Sequence, residues 1–168
     1  MRLAVKNTYL LGAVLLVSVL GCAGDEAGIS ATMNELATLV GELPANPLQG
    51  KVITSAVSPG DSTMSTLYGN DLAARCARTN LKHDYPSGAV LSLVTWSQRE
   101  DSRWFGGKIP DQVKSVEFVF VGVAGDGRPS YSYQKYEGTP LKRVSAQEGT
   151  TLSDRGAYLV SQRAAAMP

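Results

Sequence analysis

An apolar run in the middle of the chain, Ala89 to Trp96, limits the folds that this sequence can adopt. It has the length of a β-strand, it is rich in β-branched and aromatic residues, and the turn-forming Pro86 and Gly88 precede it. Successive side chains of a strand point to opposite faces, and here both sets are mostly apolar. The run therefore predicts a central strand that is covered on both sides.

The segments around this strand predict an antiparallel meander. Four of them are β-prone: Lys51 to Val57, Ser65 to Tyr68, Val113 to Val121 and Ser130 to Glu137. The turn residues at 125–127 predict that the last two segments form a hairpin. Polar and charged residues at 97–103 predict a solvated loop, which leads to an aromatic-glycine corner at Trp104 to Gly107.

Short helices are predicted beside the sheet. Ser30 is a suitable N-cap for a helix over Ala31 to Val40, and Asn70 is one for a helix from Asp71 to about Arg78. Residues 158–160 favour either a strand or a short helix. The predicted fold class is α+β: an antiparallel β-sheet, arranged as a meander, with short flanking helices.

The N-terminus has the pattern of a targeting signal. Arg2 and Lys6 precede an apolar run, Tyr9 to Leu20, which is too short to span a bilayer comfortably. The run ends in Val-Leu-Gly-Cys at 19–22, which resembles a bacterial lipobox. In such signals cleavage precedes the cysteine, which is then acylated with fatty acids such as palmitate. The alternative is an ordinary secretory signal with a chance cysteine at Cys22.

This signal sets the expected domain organisation and location. Residues 1–21 are expected to be the signal peptide, 22–29 a flexible tether, and 30–168 a single domain with its core at 51–141. Two or more acyl chains anchor a protein stably, so the membrane is an expected partner. Ala23 rather than Asp follows the cysteine, which in enteric-type sorting implies the outer membrane, with the domain in the periplasm.

Composition and cysteine count exclude some classes of protein. Without residues 1–21 the chain keeps 14 basic and 15 acidic side chains, and it has no arginine-rich run, so nucleic-acid binding has no electrostatic basis. The chain has two cysteines, and with Cys22 acylated no internal disulfide is expected. Cys76 is expected to be a small buried residue on a helix, and the alternative is a reactive thiol.

Several stretches together resemble the cytochrome P-460 family and its sister family, cytochrome c′-beta. They follow the family's order over roughly Lys51 to Leu141, and they are residues 68–71, 85–91, 94–96, 104–110 and 115–119. The Trp-Phe-Gly corner is closest to a branch of bacterial lipoproteins within this similarity. The resemblance implies an antiparallel sheet with flanking helices, and it leaves a homodimer open.

The enzymes of that family carry a c-type haem and oxidise hydroxylamine, with a lysine cross-linked to the macrocycle, whereas cytochrome c′-beta binds small gases. This sequence departs from the family at the haem attachment. A c-type haem needs Cys-x-x-Cys-His, and the C-terminal region where the family places it, 150–168, contains neither residue type. The strand 89–96 also has no lysine. No covalent haem and no other cofactor is predicted, and noncovalent haem is left open.

Six residues near the central strand are candidates for a pocket where the family would hold haem: Trp96, Trp104, Phe105, Lys108, Glu117 and Tyr136. The alternatives are core packing for the aromatic residues and a surface ion pair, or separate solvated charges, for Lys108 and Glu117. His83, the only histidine, could be a general base paired with Asp84 or a haem ligand, or else a solvated loop residue. No catalytic residue and no metal site is predicted.

These observations lead to one expectation and two alternatives for function. The expectation is a non-catalytic envelope lipoprotein that binds an unidentified small ligand or protein partner. One alternative is an oxidoreductase or gas-binding protein with noncovalently held haem. A hydrolase that uses His83 is a third, for which the sequence offers no nucleophile motif.

Overall fold

A six-stranded antiparallel sheet, with its strands in chain order, makes up most of the fold. The strands are β1 (Lys51–Ser58), β2 (Thr63–Gly69), β3 (Val90–Glu100), β4 (Lys108–Val123), β5 (Pro129–Glu137) and β6 (Lys142–Gly149), and the helices are α1 (Asp71–Thr79) and α2 (Asp154–Ser161). This computed structural model describes residues 34–79, 84–149 and 151–165. The α+β class and the antiparallel meander are therefore confirmed.

The central strands β3 and β4 are buried on both faces, as the apolar run predicts. On the first face, here called the helix face, the cluster includes Leu91, Leu93, Val119, Val121 and Tyr133. On the other, here called the aromatic face, the buried cluster is Val94, Trp96, Val116, Phe118, Tyr136 and Leu141. Each face needs its own cover, because apolar side chains on both sides of a sheet cannot stay in water.

Helix α1 covers part of the helix face and begins where Asn70 predicts. The Asn70 Oδ1 atom accepts hydrogen bonds from Ala73 N at 3.0 Å and from Val90 N at 3.2 Å, so one side chain caps the helix and joins it to β3. The buried positions of α1 carry small residues, which let the helix lie close to the sheet: Ala73, Ala74, Cys76 and Ala77. Cys76 is buried on this helix, as expected.

A segment with two short 3-10 turns but no α-helix or β-strand, residues 34–50, covers the aromatic face and is here called the strap. The predicted helix over Ala31 to Val40 is wrong for the residues that the structure describes, because only Glu35–Ala37 forms a short 3-10 turn. The peptide groups of the strap bond to the sheet instead. Trp96 Nε1 donates to Ala37 O at 3.0 Å, and Leu141 N donates to Val40 O at 2.7 Å. These bonds compete with the i to i−4 bonds that a helix needs.

Two further predictions need correction. The segment 97–103 is not wholly a loop, because β3 continues to Glu100 and pairs with Lys108 at the start of β4. Strand β6 was not predicted, since all its residues are exposed and most are polar, so it lacks an apolar alternation. For residues 158–160 the sequence left a strand or a short helix open. The short helix is confirmed, because these residues lie within α2.

Gly41 allows the strap to touch the sheet, and replacing it should loosen this contact. A Cβ atom at Gly41 would lie 2.5 Å from Leu141 O, and its φ of +149° disfavours other residues. We expect Gly41→Ala to lower the free energy of unfolding by about 1–3 kcal/mol, measured by urea denaturation. Gly60→Ala is the control, because a Cβ there meets nothing within 4 Å. Equal effects of the two substitutions would contradict this role of Gly41.

Candidate functional site

The aromatic face beneath the strap is the part of the molecule best suited to bind a ligand. Phe118 is central to it: its ring stacks on Phe120 at 5.7 Å and meets Tyr136 edge-on at 5.8 Å. Tyr68 packs partly buried against the same cluster, and burial raises the pKa of its hydroxyl above the ordinary value. The face thus offers several aromatic rings at a surface that only an irregular segment covers.

Two cavities lie where the strap crosses this face. The first, of about 490 Å³, is lined by strap residues and by the starts of α1 and β3, including Asn46, Pro47, Gly50, Leu72, Val90 and Ser92. The second, of about 570 Å³, lies between Val40 to Glu42 of the strap and Tyr136, with Leu141 and Arg143 also lining it. Both fall within the roughly 300–1,000 Å³ range of small-molecule sites.

Ser92 is the most buried polar residue of the first cavity, here called the Ser92 cavity, whose lining also includes the amide side chains of Asn46, Gln49 and Asn70. The residue is 5% exposed and lies between Tyr68 and Phe118 in the sheet register. Within the described ranges its hydroxyl makes no hydrogen bond. A hydroxyl can donate one bond and accept others, so Ser92 can pair with a polar group that enters the cavity.

The rim of the Ser92 cavity carries two opposite charges that pair with each other. Lys51 Nζ lies 2.9 Å from Asp71 Oδ1, and both side chains are well exposed. The hydrogen bond from Lys51 holds the pKa of Asp71 below its ordinary value. Because the pair is neutral overall, the rim does not select for a charged ligand.

The structure divides the six residues predicted to share a pocket into three groups. Trp96 and Tyr136 belong together to the buried cluster of the aromatic face. The Trp96 indole N–H is used by the strap, and the Tyr136 hydroxyl donates to Gln134 Oε1 at 2.8 Å. Tyr136 also lines the second cavity. For Tyr136, core packing and a place at a cavity wall are compatible, whereas Trp96 lines neither cavity.

Glu117 lies on the opposite, helix face and is 1% exposed. Its carboxylate accepts two hydrogen bonds from Arg155, both at 2.8 Å, and a third from the Tyr133 hydroxyl at 2.7 Å. The hydrogen bonds to Glu117 raise the pKa of Arg155, and burial, together with Glu117, raises the pKa of Tyr133. These three residues, here called the Glu117 cluster, fix α2 to β4 and β5 through a satisfied buried carboxylate.

Trp104, Phe105 and Lys108 lie at neither face of the sheet core. Trp104 is 75% exposed and Phe105 fully exposed, both in the loop between β3 and β4. Lys108 forms a surface ion pair with Glu100 at 2.6 Å rather than with Glu117. These three residues therefore do not line a pocket with Trp96 and Tyr136.

Two residues with predicted roles, Cys22 and His83, lie outside the described residues. In the ranges that the structure does describe, no three His, Cys, Asp or Glu side chains come together as metal ligands would. Ser92 was not among the predicted site residues. A signal for it was present, because it is the polar residue on the otherwise apolar face of β3 that carries Val90, Val94 and Trp96.

No protein-family model and no curated protein matches this chain. The similarity to the cytochrome P-460 family therefore stays a prediction. Among residues 34–79, 84–149 and 151–165, no helix has the length and apolar character that crossing a membrane requires.

Removing Arg155 should leave a buried charge without its partner. We expect Arg155→Met to lower the free energy of unfolding by about 2–3 kcal/mol, less than for a fully buried pair, because the Arg155 side chain is 47% exposed. Urea denaturation measures the change. Arg143→Met, at an exposed arginine of β6, is the matched control and should change stability by less than about 0.5 kcal/mol.

The double variant Glu117→Gln with Arg155→Met tests the cause of this loss. Glutamine keeps an acceptor for the Tyr133 hydroxyl and carries no charge, so the double variant should be more stable than Arg155→Met alone. If the two are equally unstable, the loss comes from packing around Arg155 and not from the stranded carboxylate.

Proposed function

We propose that this protein is a non-catalytic binding domain that holds a small, mostly apolar, uncharged ligand in the Ser92 cavity. The observation that carries the proposal is the Ser92 hydroxyl, which belongs to a residue that is 5% exposed, lines a cavity of about 490 Å³ and has no hydrogen-bond partner among the described residues. Its oxygen is not among the fully buried atoms that lack a partner, so it faces the open space of the cavity. A ligand with one polar group can bond to it there while its apolar part covers the cavity wall.

The chemistry of the cavity limits the class of ligand. Apolar groups provide most of its lining, with Leu72 and Val90 among them, and Ser92 is a neutral group that both donates and accepts. The nearest charges, Lys51 and Asp71, neutralise each other at the rim. An aromatic or aliphatic molecule with a single hydroxyl, carbonyl or aromatic amine group, all of them uncharged at neutral pH, fits this pattern better than an anion or cation does.

We also propose that the domain belongs to a cytochrome P-460-like branch that has no c-type haem. The residue stretches at 85–91 and 104–110 and the antiparallel meander support this assignment. The sequence has no Cys-x-x-Cys-His, which removes the attachment chemistry of the redox-active relatives. A visible absorption spectrum tests the point, since a Soret band with one haem per chain in protein from its native envelope would overturn the haem-free assignment.

The N-terminal sequence supports a lipid-anchored location in the cell envelope, facing the periplasm. We expect the mature chain to begin at an acylated Cys22, because the lipobox-like residues at 19–22 direct cleavage before that cysteine. Mass spectrometry of the N-terminal peptide measures this. Cys22→Ser should abolish acylation, whereas Cys76→Ser should leave it intact. An unmodified Cys22 at the mature N-terminus would remove the anchoring proposal.

Filling the Ser92 cavity should prevent ligand binding without unfolding the protein. The probe is 1-aminoanthracene, a flat apolar amine, and it should raise the urea midpoint of the wild-type chain by binding the native state. Val90→Phe places a ring in the cavity, because Val90 lines it, and should weaken probe binding by about tenfold or more. Isothermal titration calorimetry, with both chains in one detergent buffer, measures the two affinities for the probe.

Val123→Phe is the matched control, because Val123 is an exposed β4 residue at a distance from either cavity's lining. It should leave the probe affinity unchanged. Equal affinities of the wild-type chain and Val90→Phe would show that the probe binds elsewhere, and the proposed site would then be wrong.

A further inference from the structure

The β3–β4 hairpin projects beyond the rest of the sheet. Strand β2 pairs with β3 only as far as Ser97, and β5 pairs with β4 only as far as Ser115. The β3–β4 pairing continues to Glu100 and Lys108. Residues 98–112 thus form a two-stranded projection, here called the finger, whose paired part extends about 10 Å past Ser97.

The apex of the finger is a hydrogen-bonded loop that displays two aromatic side chains. Asp101 N donates to Gly107 O at 2.9 Å, and Gly107 N donates to Trp104 O at 2.9 Å, which closes the loop on itself. A Cβ at Gly107 would lie 3.0 Å from Trp104 O, so this closure favours glycine. The loop therefore holds Trp104 and Phe105 outward, at 75% and 105% exposure.

The charges of the finger are paired within it. Lys108 pairs with Glu100 at 2.6 Å, and longer contacts of 3.9 Å and 4.0 Å join two arginines to aspartates, Arg99 to Asp111 and Arg103 to Asp101. Its three basic and three acidic side chains give no net charge. An apolar apex above a neutral, polar stem matches the boundary between acyl chains and head groups, where tryptophan is enriched.

The described part of the chain begins beside the same finger. Asn34, the first residue that the structure describes, donates a side-chain hydrogen bond to the carbonyl oxygen of Pro110. Asn34 is 12 residues from Cys22, which limits its distance from the anchor to about 40 Å. An acyl anchor at Cys22 would therefore hold this end of the domain close to the bilayer.

We infer that the finger is a second membrane contact, in which Trp104 and Phe105 insert into the interfacial layer of the bilayer. The inference rests on the proposed lipid anchoring for its geometry. It assigns a lipid surface as the partner, because two exposed rings at the tip of a narrow projection would be surrounded on all their exposed sides by a fluid phase. The insertion would orient the sheet with its finger toward the membrane.

The chain has two tryptophans, and their different environments provide the test. The full lipidated chain is reconstituted in phosphatidylcholine vesicles whose acyl chains are brominated or unbrominated, and tryptophan emission is measured. We expect brominated lipid to quench wild-type emission. It should not quench the Trp104→Phe variant, because the remaining Trp96 is buried in the domain at 6% exposure. Phe105→Ser should lower the equilibrium constant for insertion of the finger by about tenfold or more, and this is measured as a loss of quenching.

The matched control is Val123→Ser, which removes an exposed apolar residue at the opposite end of β4 and should leave quenching unchanged. If the protein floats with the vesicles and Trp104 is not quenched, the insertion is wrong and the lipid anchor stands. If Cys22 is unmodified, the anchor is wrong, and mixing the chain with the same vesicles still decides whether Trp104 inserts. If, without lipid, Trp104 becomes less accessible to a water-soluble quencher as the protein concentration rises, the finger makes contacts between copies of the chain. That result also overturns the inference.

Discussion

The burial of both faces of β3 and β4 is the constraint on which the rest of the structure depends. A sheet that is apolar on both sides needs a cover on each, and this chain supplies covers of different kinds. The helix face receives α1 and α2, which are capped, regular and fixed by side-chain bonds. The aromatic face receives the strap, which is held by a few bonds from its backbone to Trp96 and Leu141. The difference between the covers decides where the protein can accommodate a ligand.

The two faces also treat polar groups in opposite ways. On the helix face the Glu117 carboxylate accepts three hydrogen bonds and is 1% exposed, so it stabilises one arrangement and is not accessible to a substrate. On the aromatic face the Ser92 hydroxyl faces a cavity and has no hydrogen-bond partner within the described part of the chain. A hydroxyl in that situation can donate to, or accept from, a polar group that enters the cavity. The site is thus expected under the less regular cover.

The elements that could be predicted from the sequence are those whose structure is set locally. The alternation of β3 and β4 and the N-cap at Asn70 needed only neighbouring residues to be recognised. The strap could not be predicted, because its partners lie far along the chain, as the bond from Trp96 to Ala37 shows. Strand β6 forms by pairing with β5 despite its polar sequence, and the stem of the finger forms through cross-strand pairing of charged residues. In the site, Ser92 was recognisable as a polar residue in an apolar pattern, whereas the partner of Glu117 is 38 residues away.

The aromatic residues illustrate why residue type alone does not define a site. Trp96 and Trp104 are only eight positions apart, yet one is buried under the strap and the other is exposed at the end of the finger. The pairing limit of β2 causes this separation, because β1 and β2 still flank β3 at Trp96, whereas only β3 and β4 pair with each other beyond Ser97. An aromatic residue where the sheet is wide becomes core, and one where only two strands remain has nothing to pack against. The same sequence stretch therefore contributes to the proposed ligand-binding face at one end and to the proposed membrane-facing apex at the other.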